Sequence, residues 1–385
     1  MPVRTNAPFE FATATRIVFG EGAASTLPEL ARTFGVRPLV VTGSSPDRAS
    51  SLVSALSAVA FAVPDEPTVQ LIREGVRHVN LVGCDLVISI GGGSAIDAGK
   101  AIAAVSTNGG EPLDFLEVVG KGRPFVTPPL PFIAVPTTAG TGSEVTRNAV
   151  LGSTEHGVKA SLRSPLMLPR AALVDPELTY GLPPAVTAST GLDALTQLIE
   201  PYVSIRANPL VDPICVDGIG RVARALRRAY HGGADREARH DMSLASLFGG
   251  LALANAGLGV VHGLASPLGG SWNAPHGALC AALLPHGMAA NVNALRERAP
   301  QHPALLRYAT IARLLTGRND ATAEDGIDWV QALCAELNVP ALSVCGITEA
   351  DLPGVAEKAA RASSMQANPL PLTGGEILAV LSAAL

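Results

Sequence analysis

Two imidazoles and one carboxylate stand out among the ionisable residues of this chain. Asp193 lies in Gly191-Leu-Asp-Ala-Leu-Thr-Gln-Leu-Ile-Glu200, and Gln197 follows four positions on, so the two share one helix face. His262 and Ser266 repeat that spacing, and Pro267 with Gly269-Gly270 should break the helix and leave His276 on a separate segment. Both histidines sit in charge-free apolar runs, where an unpartnered imidazole would be costly. A carboxylate and two imidazoles from separate segments suit a divalent metal. His78, His156, His231, His240 and His302 read as surface or satisfied core residues.

A second chemistry is written in glycine. The apolar run Leu86–Ile90 reads as a buried strand, and Gly91-Gly-Gly-Ser94 follows it directly. Glycines let the backbone turn sharply and approach a ligand with no Cβ in the way. Ser94 is placed to cap the next helix, whose free N–H groups and dipole favour an anion. Such a turn is also found where strand and helix merely pack tightly, and the motif is neither G-x-G-x-x-G nor a P-loop. A second loop, Pro136-Thr-Thr-Ala-Gly-Thr-Gly-Ser-Glu144, interleaves hydroxyls with glycines. It offers donors to a ribose or pyrophosphate, or else is a solvated turn.

These residues need elements to hold them. At 385 residues the chain exceeds the size at which one core stops growing, so two domains are expected. Hydrophobic residues make up 48% and charged residues 16%, which supplies a core and excludes a disordered chain. A net charge of −5 argues against a nucleic-acid surface. Cys84, Cys215, Cys280, Cys334 and Cys345 are unclustered and read as buried free thiols in a reducing cytosol. The N-terminus has no apolar signal-peptide core, so a cytoplasmic protein is expected. The charge-free run Met242–Val261 is long enough to span a membrane, but its glycines, Asn255 and serines favour a helix buried in a large helical domain.

Strand and helix patterns alternate from Pro38–Thr42, through Val59–Val63, Leu86–Ile90 and Pro131–Pro136, to Ala171–Val174, with a hairpin-like interruption at Asn148–Leu162. That alternation predicts a parallel sheet with right-handed crossovers and a ligand at its carboxyl edge. Gly43, Gly91 and Thr137 should share that rim. After Pro183-Pro184 only long Ala- and Leu-rich helical segments follow, at about 185–203, 210–230, 238–256, 304–316, 324–337, 348–362 and 373–384. The expected division is an α/β domain over 1–184 and an all-helical metal and substrate domain over 185–385.

Five segments in order carry a resemblance to a known family: Gly91-Gly-Gly-Ser94 with Asp97 and Lys100, Pro136–Glu144, Leu173-Val-Asp-Pro-Glu-Leu178, Thr190-Gly-Leu-Asp-Ala-Leu-Thr196, and Val261-His262 with Pro275-His-Gly277. Together, and with the closing Asn368-Pro-Leu-Pro, they resemble the iron-containing (group III) alcohol dehydrogenases along essentially the whole chain. The resemblance implies a dehydroquinate synthase-like fold: a Rossmann-like α/β N-terminal domain binding NAD(P), an all-α C-terminal domain binding metal, and a cleft between them. It implies Gly92, Gly93, Ser94 and Asp97 as the pyrophosphate loop, Thr137, Thr138, Thr141 and Ser143 as a second cofactor loop, and Lys159 as a cofactor-contacting lysine. Asp193, His262 and His276 match three of four metal ligands.

Three positions depart from the family pattern. Gln197 stands where a histidine ligand is usual, leaving it as a weak fourth ligand or a partner of the ligands. Ser266 stands where many members carry a proton-relaying histidine. Gly43, followed by Ser44 and Ser45 with Arg48 a turn further on, replaces an aspartate of NAD-preferring members. Losing that acid removes repulsion of a 2′-phosphate, so NADP(H) is expected to be favoured over NAD(H).

The leading expectation is an NAD(P)-dependent oxidoreductase, a homodimer, interconverting a small alcohol and its aldehyde, ketone or oxoacid, with Fe2+ or Zn2+ polarising the oxygen. A dehydroquinate synthase-like lyase would need basic residues for a phosphorylated substrate, and Trp272-Asn-Ala-Pro offers none. A third reading is a metal-free nucleotide-binding protein without turnover. Trp272, Asn273 and Leu264 are expected to line the substrate pocket.

Overall fold

The computed structural model describes residues 8–385 apart from 154, 157 and 273. Its chain divides into two compact units. One comprises Thr13–Thr138 and Gly142–Tyr180; the other comprises Gly181–Leu385 with Ala139–Thr141 and the N-terminal stretch ending at Ala12. The sequence boundary, drawn at 184, falls in the first turn of a helix that starts at Pro184.

The first unit is a six-stranded, wholly parallel sheet with helices between its strands. In chain order these are β1 (Ile17–Phe19), α1 (Leu27–Arg32), β2 (Pro38–Thr42), α2 (Ser50–Leu56), β3 (Val59–Ala62), α3 (Val69–Val82), β4 (Leu86–Gly91), α4 (Gly93–Asn108), α5 (Pro112–Phe115), β5 (Phe132–Pro136), the hairpin β6 (Asn148–Ser153) and β7 (Val158–Arg163), and β8 (Ala171–Val174). The sheet order is β1-β8-β5-β4-β2-β3. β2, β4, β5 and β8 are buried along their length, as expected of strands covered on both faces. The chain runs from β2 to β3 on one side and returns to β4 on the other, which makes the carboxyl ends of β2 and β4 a switch point. β1 was missed in the sequence. Three residues are too few to show an alternating pattern, and Pro38–Thr42 is therefore the second strand, not the first.

The second unit is helical: α6 (Pro184–Val203), α7 (Val211–His231), α8 (Arg236–Ala256), α9 (Val260–Trp272), α10 (His276–Arg298), α11 (Ala304–Thr316), α12 (Ala323–Glu336), α13 (Leu352–Ala360) and α14 (Gly374–Ala384). Their apolar faces form one continuous core from Ala188 to Ala384. The charge-free run is not one helix. α8 stops at Ala256, Gly257 takes φ +74°, and α9 leaves at 99° to α8. Pro267 does not break α9, which runs on to Trp272. By length and composition α10 could cross a membrane, but most of its residues are packed within this unit.

Candidate metal and dinucleotide sites

α6, α9 and α10 bring the predicted ligands together. Asp193 is buried in mid-helix, and its Oδ2 accepts from Gln197 Nε2 at 3.0 Å, one turn on. Its Oδ1 lies 3.4 Å from His262 Nε2 and 3.8 Å from His276 Nε2. Asp193 Oδ1 and His262 Nε2 are both buried and have no hydrogen-bond partner. An unsatisfied buried polar atom costs about 1–3 kcal/mol, and two facing one another can be satisfied by a proton on the imidazole or by a shared ligand. Gln197 Oε1 is also unsatisfied and packs against Gly249, where an added Cβ would lie 3.2 Å from it.

His262 is oriented from behind. Glu200, one more turn along α6, accepts Val261 N through Oε1 and His262 Nδ1 through Oε2, both at 2.7 Å. When the Nδ1–H of a neutral His262 donates to Glu200, its Nε2 lone pair faces the cluster. Asn368 Oδ1 accepts Val260 N at 3.1 Å, so two distant side chains satisfy the buried start of α9. Asn291 locks Asn368 in a reciprocal pair, at 2.7 and 3.1 Å, and also donates to Tyr308 at 3.1 Å. Gly259 is required here: a Cβ would fall 2.8 Å from Asn368 Oδ1 and 3.0 Å from Glu200 Oε1. Glu200 went unremarked in the sequence, although positions 193, 197 and 200 share a face and an acid in an otherwise apolar helix needs a partner.

His276, half-buried at the first position of α10, brings a further residue that sequence reasoning passed over. Cys280 lies one turn on, fully buried, with Sγ 3.6 Å from His276 Nε2. The donor atoms of Asp193, His262, His276 and Cys280 all lie within 4.8 Å of one another. Without metal, the cluster favours protons on the imidazoles. The Cys280 sulfur and then Asp193 outweigh burial and raise His276 to about 9. Burial alone would lower His262, but Cys280, Asp193 and Glu200 together raise it well above the usual value. Ser266 is exposed, Leu264 belongs to the core, and Asn273 lies outside the described residues.

The glycine rim in the α/β unit is built differently. β2 ends at Thr42, β4 at Gly91 and β5 at Pro136, adjacent and in register, so Gly43, Gly91 and Thr137 do share one rim. A Cβ at Gly91 would meet Ala95 Cβ at 2.6 Å and Gly43 N at 3.1 Å, so only glycine permits this approach. α4 begins at Gly93 with Gly92 as its cap and no side-chain capping bond, and Ser94 is inside the helix instead of capping it. The first amides of α4 therefore stay available to an anion. Thr137 N donates to Gly91 O at 3.0 Å, and Thr138 lies beside Gly92. Thr141 belongs to the short stretch that groups with the helical unit.

Several expected cofactor residues are engaged within the fold. Asp97 accepts Ser143 Oγ at 2.5 Å and Val150 N at 2.9 Å. Buried Lys100 donates to Ser143 O and Oγ at 2.9 Å, Thr146 Oγ1 at 3.0 Å and Asn148 O at 2.5 Å, which pins the second loop to α4. Lys159 pairs with Glu66. Arg48 gives Nη2 to the carbonyls of Leu178 and Tyr180, both at 3.0 Å, while Ser44 and Ser45 are exposed beside Gly43.

Comparison with known proteins agrees with this architecture. The sequence profile described as "Iron-containing alcohol dehydrogenase" matches residues 14–176, and "Fe-containing alcohol dehydrogenase family, C-terminal" matches 187–385. Alcohol dehydrogenase 4 of Schizosaccharomyces pombe is 40% identical over 324 residues, covering 84% of this chain and 74% of that protein. The crystal structure of a 1,3-propanediol oxidoreductase superposes with a TM-score of 0.89 at 33% identity, over 98% of this chain and all of that one. A sulfoacetaldehyde reductase from Bifidobacterium kashiwanohense, in complex with NAD+, gives 0.86 at 28% identity, covering 98% of this chain and 99% of that one. The chain belongs to the iron-containing alcohol dehydrogenase family and is an oxidoreductase. The family works with NAD(H) and a divalent metal on small alcohols and aldehydes.

Proposed function

We propose that Asp193, His262 and His276 hold a divalent metal, and that the enzyme passes hydride between a nicotinamide and a small alcohol, aldehyde or oxoacid beside it. The facing, unsatisfied Asp193 Oδ1 and His262 Nε2 carry this reading. When bound, the metal acts as a Lewis acid on the substrate oxygen. Gln197 keeps Asp193 Oδ2 occupied and so commits Oδ1 to the cluster, acting as a partner of that ligand. Glu200 fixes the ring and proton of His262. In reduction, a bound dihydronicotinamide would supply hydride to the carbonyl carbon, and a proton would be needed at the oxygen. Ser266 has no pKa near neutrality, so that proton comes through water or a ribose hydroxyl.

On the cofactor side, the α4 amides, Gly92, Gly93 and Ser94 receive the pyrophosphate, with Thr137, Thr138, Thr141 and Ser143 in the second loop. Asp97 contributes by holding Ser143, and Lys159 approaches from the hairpin. NADP(H) is accepted and favoured, through Gly43, Ser44 and Ser45. Support comes from the absence of any acid at Gly43 and from open space there, since a Cβ would meet only Gly91 Cα at 4.0 Å.

Metal analysis of purified protein, with NADH and NADPH oxidation assays against aldehydes and oxoacids, tests this. Chelation should abolish turnover and a divalent ion restore it. Full turnover by metal-free protein overturns the metal assignment, and a clear NADH preference overturns the cofactor assignment.

A further inference from the structure

We propose that Cys280 is a fourth protein ligand of this metal, bound as a thiolate, and that the resulting carboxylate, two-imidazole and thiolate set favours zinc over iron. The inference rests on the metal reading above and extends it to a residue with no counterpart in the expected ligand set. Tetrahedral bonds of about 2.0–2.3 Å place donor atoms roughly 3.3–3.8 Å apart. Cys280 Sγ to His276 Nε2 is 3.6 Å, His276 Nε2 to Asp193 Oδ1 is 3.8 Å, and Asp193 Oδ1 to His262 Nε2 is 3.4 Å. The remaining separations stay within 4.8 Å, so small side-chain adjustments bring all four donors to one ion, which would take the substrate oxygen as a fifth ligand.

The thiol also supplies what position 197 has lost. Gln197 Nε2 already donates to Asp193, and its unpartnered Oε1 lies against Gly249. The i, i+4 spacing on α10 puts a sulfur beside His276, on the face that carries the imidazole. A bland buried thiol would be expected among apolar neighbours alone. Cys280 instead stands among a carboxylate oxygen and an imidazole nitrogen that are buried and without partners. On binding, the Sγ–H bond gives its proton to solvent as the metal–sulfur bond forms, with no change of oxidation state. Thiolate donors select zinc over harder-ligated ions, and zinc also outranks Fe2+ in intrinsic affinity.

Cobalt(II) loaded into the full-length protein reads the ligand set without reference to turnover. The expected result is one Co2+ per chain with a thiolate charge-transfer band in the near ultraviolet. Cys280→Ser and Cys280→Ala should lose that band, and Cys345→Ser should keep it. Zinc affinity should fall by more than about tenfold in Cys280→Ser, and the preference for zinc over iron should narrow. Adding Gln197→His to Cys280→Ser should recover affinity without recovering the band, which separates ligand loss from misfolding. Stoichiometric Co2+ with no such band, or with a band unchanged in Cys280→Ser, overturns the Cys280 assignment and leaves the metal reading standing. Failure to bind Co2+ or Zn2+ at all overturns both.

Discussion

Asp97 in the α/β unit and Asp193 in the helical unit are both helical carboxylates among polar partners. Asp97 spends each oxygen on the fold, one on Ser143 and one on a hairpin amide, with Lys100 Nζ 3.3 Å away. Asp193 has one oxygen fixed by Gln197 and the other left facing two imidazoles. The difference separates a carboxylate that builds a site from one that belongs to it. It also extends to the two regions. The glycine rim presents backbone amides near charged side chains, Asp97, Lys100 and Lys159, that are already paired, whereas the cluster presents side chains with polar atoms that are not.

That contrast predicts opposite vulnerabilities. The largest effect is expected from His262→Ala, which removes a proposed ligand of a metal worth several kcal/mol of charge stabilisation. Metal should be lost and kcat should fall by about a thousandfold, while dinucleotide affinity, measured by fluorescence titration, stays within about threefold. Gly92→Val adds bulk beside Thr138, where an added Cβ already lies 3.4 Å from that side chain. It should weaken dinucleotide binding by roughly 30-fold, about 2 kcal/mol, with metal content unchanged. If either substitution damages both properties equally in folded protein, the contrast fails.

Glu200→Gln sharpens it further. The amide can still accept from Val261 N but no longer holds the His262 proton with a charge, so metal affinity should drop about 10–100-fold. Dialysis against a metal buffer checks this, and unchanged retention would reduce Glu200 to a helix cap. The smallest effect is expected from Gly43→Asp. The new acid should shift the NADPH-to-NADH ratio of kcat/KM towards NADH by about tenfold, with little change in metal content. An unmoved ratio would place 2′-phosphate selection elsewhere.

The rim was legible because its signals are local: an apolar strand, a glycine turn and a helix start lie within some fifteen residues, and parallel pairing follows from the alternation. Ser94 misled because two glycines before it already supply the helix entry. The cluster was half legible. Asp193, His262 and His276 were conspicuous by type and setting, but Cys280 and Glu200 show themselves only once the helix phase is known. Expecting Pro267 to end α9 left the α10 start unread, and with it the His276–Cys280 spacing. Asn368 was visible only as part of a resemblance, because its role is to complete a helix start more than a hundred residues earlier.

That last contact orders events in time. A chain emerging from its N-terminus can complete the sheet and the Gly91 loop once residue 180 is available, since the sheet unit ends at Tyr180; the stretch Ala139–Thr141 of the second loop groups with the helical unit instead. His262 cannot be held in place so early. Its helix starts on amides that wait for Asn368, 108 positions beyond Val260. The Gly91 rim can therefore form during synthesis long before the cluster of Asp193, His262 and His276, whose supporting contacts are complete only when Asn368 has been made.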